Sequence, residues 1–123
     1  MSSLTSDQLE NQLIDFAVSS ISYCKGLEYN YSNNHLGKQL IRSSTSVSLN
    51  YGEACSAESR RDFIHKMRIC LKELKESYNC YRIIIKSNNS EAKTKDSYLL
   101  NECKELMLIF SKSVGTASSI NKK

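Results

Sequence analysis

The sequence predicts an all-α fold, an antiparallel up-down-up-down four-helix bundle. Three observations carry that reading. Apolar residues recur at steps of three and four through four long segments, which stacks them on one face of each. Proline is absent and Gly occurs only four times, which disfavours a turn-dense all-β chain. The connectors are short, and short connectors force neighbouring helices to run antiparallel. The 123 residues suit a single domain at 1–123. A chain of this size buries roughly two-thirds of its unfolded surface, enough for one core.

The first helix is predicted over residues 6–25, with Thr5 as its cap and Gln8 completing a capping box. Leu9, Leu13, Phe16, Ala17, Ile21 and Cys24 form its apolar stripe, and Gly26 is placed to stop it. LEYNYSNN then reads as a connector. The second helix is predicted over residues 35–55, with Leu36, Leu40, Ser43, Val47 and Ala54 on one face and Asn50 at its edge. Thr45 and Val47 favour a strand, but the surrounding helical period decides. The SSTSVS run makes this face small and polar, which places the helix deep in the bundle or at a subunit contact.

Ser59 and Asp62 fit the start of a third helix over residues 60–86. Its apolar stripe is Phe63, Met67, Cys70, Leu74, Tyr78, Tyr81 and Ile85. SNNS, residues 87–90, reads as a turn. The fourth helix is predicted over residues 91–117, with Leu99, Cys103, Leu106, Phe110 and Val114 inward and Leu100 and Met107 widening the stripe. The SSINKK tail is expected to fray.

The third helix carries a second stripe, and this one is basic. Arg68, Lys72, Lys75, Arg82 and Lys86 recur on a different face, with Asn79 between them. Cations in line suit a phosphate backbone, whose counterions they release. No aromatic residue interleaves with them on that face, so base stacking is not expected and binding should depend little on sequence. The ordinary alternative is a solvated face with Glu73 and Glu76 as local partners. The net charge of +4 and pI near 8.8 are only mildly basic and decide nothing alone.

Arg42, Ser46 and Glu53 fall on one flank of the second helix. They pair within the bundle or across a subunit seam, or they are plain surface charge. Asn50, beside the core stripe, needs amide partners and so points to helix register rather than chemistry. Tyr51, Tyr78, Tyr81 and Tyr98 suit an interface or the edge of the core. The five cysteines lack a C-x-x-C pair, and neither His35 nor His65 has a ligand at metal spacing. They read as reduced thiols packed as small hydrophobes. No metal, cofactor or catalytic set is expected: paired carboxylates, an activated nucleophile and a Gly-rich phosphate loop are all missing. The polar N-terminus has no secretory pattern and no apolar run is long enough for a bilayer, so a cytoplasmic location is expected.

QLIRSSTSVSLNYGEA, followed by SRRDFIHKMRICLKELKESYNCYRIII, resembles the central signature of the bacterial four-helix-bundle family also called the 23S ribosomal RNA intervening-sequence protein family. The positions that carry the resemblance are Arg42, Ser43, Ser44, Val47, Asn50, Glu53, Phe63, Leu71, Leu74 and Glu76. Leu49 stands where the family often has Pro, and Ala54 where it often has Gly. Those two differences imply a straighter second helix. The resemblance implies a homopentameric ring and a nucleic-acid role. A related bundle, the accessory variability determinant of diversity-generating retroelements, assists a reverse transcriptase. The expectation is therefore a non-enzymatic, oligomeric accessory protein that binds RNA or DNA through basic helix faces. The rival is a protein–protein scaffold with no nucleic-acid role.

Overall fold

Each of the first three helices begins where a side chain accepts an otherwise free backbone N–H. The computed structural model describes residues 5–88 and 94–121. Within them lie α1 (Ser6–Lys25), α2 (Tyr31–Cys55), α3 (Arg60–Ser87) and α4 (Thr94–Asn121). Thr5 Oγ1 accepts from the Gln8 N–H at 3.1 Å, and Gln8 Oε1 accepts from the Thr5 N–H at 2.9 Å, a complete capping box. Asn30 Oδ1 accepts from the Asn33 N–H at 2.8 Å, and Ser59 Oγ from the Asp62 N–H at 3.0 Å. Thr5→Ala removes one such acceptor and is expected to cost about 1 kcal/mol in urea unfolding.

The boundaries of α1 agree with the sequence reading, and Gly26 closes it at φ −84°, without a left-handed residue. Helix α2 starts at Tyr31, four residues earlier than expected, because Asn30 is a cap and not the middle of a loop. Helix α3 runs one residue further, to Ser87. Helix α4 is described over Thr94–Asn121, so it runs past the expected end at 117, with Ala117 buried; residues 122–123 of the tail lie outside the described residues. Residues 89–93, which hold the end of the expected turn and the expected start of α4, lie outside the described residues.

Cross-helix contacts fix the topology. Glu53 of α2 meets Lys66 of α3, while Arg42 meets Glu73 and Glu76. As one number rises the other falls, so α2 and α3 are antiparallel. The same holds for α1 and α2, through Ser6–Tyr51 and Cys24–Gly37. Helix α4 lies against α3, with Cys103 Sγ donating to the Leu74 carbonyl, and closes on α1 through Gln12 and Glu102 at 3.0 Å. The α1–α4 seam is the lightest of the four.

The stripes turn inward as expected. Leu13, Leu40, Val47, Cys70, Leu74, Leu106 and Phe110 are fully buried. The small run on α2 lies deep in the bundle: Ser43 and Ser44 are fully buried, and Ser43 Oγ is 2.7 Å from Ser77 Oγ of α3. Tyr81 is the largest fully buried side chain. Its hydroxyl is 2.6 Å from Ser20 Oγ of α1, and Tyr23 meets its ring edge-on at 5.0 Å.

Three of the five cysteines, Cys70, Cys80 and Cys103, pack as small hydrophobes; Cys24 is half-buried, whereas Cys55 is exposed. Burial pushes the Cys70 and Cys103 thiols up to about 12, from 9.0 in the unfolded chain. Above pH 9 the unfolded state then releases protons that the native state retains, so these thiols cost stability as pH rises from 9 toward 12. Equilibrium unfolding across that range is expected to show the decline. A thiol reagent at neutral pH is expected to reach Cys55 first, and Cys70 and Cys103 only on unfolding.

Candidate nucleic-acid interface

Helix α3 concentrates the charge of the chain. Within Arg60–Ser87, eight Lys/Arg face three Asp/Glu, a net of +5, against +4 for the whole protein. Arg68, Lys72, Lys75, Asn79, Arg82 and Lys86 are all exposed. Their alternating steps of four and three keep them in one narrow band, opposite the core-facing residues. At 1.5 Å per residue that band is ~27 Å long, the length over which one strand of a duplex presents roughly eight phosphates. Arg61 and His65, also exposed, extend the band by two turns toward the start of α3.

The two carboxylates of α3 that border the central band, Glu73 and Glu76, are already engaged. Arg42, reaching across from α2, donates to Glu73 Oε2 at 2.9 Å and to Glu73 Oε1 at 3.3 Å, and its second nitrogen also reaches Glu76. Lys66 pairs with Glu53 at 2.7 Å. Among the described residues, Arg68, Lys72, Lys75, Arg82 and Lys86 make no ion pair. Among the described residues Glu73 and Glu76 thus pair with Arg42 of α2 and not with the cations of the band. Arg42 is 49% exposed, so the value of the clasp lies in where it holds two negative charges more than in stability.

The band also reaches α4. Lys104 Nζ lies 5.7 Å from the centre of the Tyr78 ring, and Arg82 Cζ lies 5.7 Å from the same ring. Tyr78 is half-buried, and these cation–π contacts hold a cation of α3 and a cation of α4 at one ring. The sequence assigned Tyr78 to the core stripe. Its partnership with Lys104 depends on packing between helices and left no trace in the spacing of either. His65 and Arg61 did have such a signal, since they continue the same four-three steps.

The α2 residues singled out from sequence take different roles. Arg42 and Glu53 both pair with α3, inside the bundle. Asn50 is half-buried, and its amide donates to the Ser46 carbonyl of its own helix at 2.9 Å. Among the described residues this bond is local to α2. Among the described residues, no three His, Cys, Asp or Glu side chains converge as a metal site would require. No helix among them is long and apolar enough to cross a membrane.

Comparison with known proteins gives two findings. Residues 8–112 match the model of a family described as 23S rRNA-intervening sequence protein. Among solved structures, a protein of unknown function from the S23 ribosomal protein family of Bacteroides thetaiotaomicron VPI-5482 is similar. It is 27% identical, covers 85% of this chain and 96% of its own, and superposes with a TM-score of 0.75. No curated protein matches.

Proposed function

The chain belongs to the 23S rRNA-intervening sequence protein family, and from that premise we propose that it is a non-enzymatic, cytoplasmic accessory protein that binds RNA or DNA along α3. The observation that carries the reading is the line of cations that make no ion pair among the described residues, with Glu73 and Glu76 both held by Arg42. Contact between the α3 cations and phosphates makes the binding strongly salt-dependent and nearly indifferent to sequence. The test is binding of mixed-sequence RNA and duplex DNA at low salt. Salt-sensitive binding to either supports the reading, and its absence from both removes it.

Self-association belongs to the same proposal, with a pentameric ring as the form the family resemblance implies. Ile14, Val18, Leu49 and Leu108 are large apolar side chains left exposed on α1, α2 and α4, available for contact between copies. A ring repeats the band, and several weak sites then act together. A solution mass several times 14.0 kDa is expected; a clean monomer at micromolar concentration contradicts it. These same apolar residues favour the second reading, a scaffold for another protein, should nucleic-acid binding fail. A reverse transcriptase encoded beside the gene is the protein partner to seek first.

Arg42 offers a sharper test. Arg42→Ala releases Glu73 and Glu76 beside the band and removes a positive charge. Affinity for RNA is expected to fall several-fold, while stability changes by about 1 kcal/mol or less, as for an exposed ion pair. Binding isotherms and urea unfolding of the same variant check both halves.

A further inference from the structure

The basic band ends beside a surface that its sequence spacing did not reveal. On α2, His35 lies two turns before Arg42, and Tyr31 one turn before that. On α3, Ile83 lies two turns beyond Glu76. Arg42 bonds Glu76 and the helices are antiparallel, so along the bundle axis His35 comes to the height of Ile83, and Tyr31 to the height of Lys86. A second contact closes the same end: Asn33 Nδ2 donates to Asn88 Oδ1 at 3.1 Å, and Asn88 Nδ2 to Asn33 Oδ1 at 2.9 Å. All four side chains are open to solvent: Tyr31 is 78% exposed and Ile83 51% exposed, and His35 and Lys86 are exposed too.

An uncovered ring, imidazole and isoleucine at the height where a line of cations ends match one kind of ligand, a flexible polyanion with flat apolar faces. We propose that the α2–α3 end of the band is a stacking platform for unpaired bases of a single-stranded nucleic acid whose phosphates follow α3. Tyr31 supplies the π face, with His35 and Ile83 flanking it. The sugar plays no part in such stacking, so RNA and DNA single strands engage alike. A duplex keeps its bases inside and gains nothing from Tyr31. This inference rests on the polyanion reading of α3, and adds preference for unpaired bases to it.

The experiment compares two labelled single strands of about twenty nucleotides, long enough to span the ~27 Å band. One carries bases and the other is abasic, with the same phosphates. Fluorescence anisotropy at fixed low salt gives both dissociation constants for the full chain, for Tyr31→Ala and for Tyr31→Phe. The natural chain is expected to bind the base-carrying strand about tenfold more tightly than the abasic one. Tyr31→Ala is expected to bind both at the abasic level, and Tyr31→Phe to restore the difference. Tyr31 is exposed, so helicity is expected to be unchanged in both variants, and circular dichroism checks this. Equal affinity of the natural chain for the two strands overturns the platform, as does a preference that survives in Tyr31→Ala. Polyglutamate that binds as tightly as the base-carrying strand, and as dependently on Tyr31, overturns it in favour of a protein ligand. Abasic binding that salt removes leaves the α3 reading standing when stacking fails; no binding of either strand ends both.

Discussion

Replacing Lys72, Lys75 and Arg82 together by Glu is expected to weaken binding to mixed-sequence RNA by about a hundredfold or more at low salt. Three of the five cations in the central band are lost, and three like charges are placed against the phosphates. Each phosphate contact contributes through counterion release, so losing three of them compounds. The substitutions fall on exposed positions that make no ion pair, and Glu is a good helix former. Helicity and unfolding midpoint are therefore expected to stay close to those of the natural chain. A triple variant that folds normally and binds RNA as before would remove α3 from the interface.

The largest effect on stability is expected at Tyr81. Its ring reaches across the core from α3 to α1, fully buried, with Phe16 at 6.5 Å and Tyr23 at 5.0 Å. Tyr81→Ala leaves a cavity among these rings and is expected to cost about 3–5 kcal/mol. A domain of this size has a total stability of roughly 5–15 kcal/mol, so the variant is expected to be marginal or unfolded. Tyr81→Phe keeps the ring and removes only the hydroxyl bonded to Ser20. It is expected to cost about 1 kcal/mol, the net value of a hydrogen bond. Urea unfolding of the pair separates packing from hydrogen bonding; equal losses would show that the ring contributes little.

The helices and the core were legible because a period of three and four residues is a local property of the chain. Leu13, Leu74 and Phe110 announce their burial through their neighbours in sequence. The start of α2 was not legible, because Asn30 as a cap and Asn30 as a loop residue look alike until Asn33 is seen to donate to it. The basic band was legible for the same periodic reason as the core. Its electrostatic state was not. Glu73 and Glu76 sit close enough in sequence to neutralise it, and only the antiparallel packing of α2 on α3 brings Arg42 to hold them instead. Lys104 was missed on the same ground, since it meets the Tyr78 ring from another helix.

The salt dependence of RNA binding tests the central claim most directly. With five cations on phosphates, log Kd against log salt concentration is expected to be linear with a slope of about 3.5–4.5, a loss of roughly a hundred- to five-hundredfold between ~50 and ~200 mM salt. A flat dependence, or no binding at the low end of that range, would contradict it.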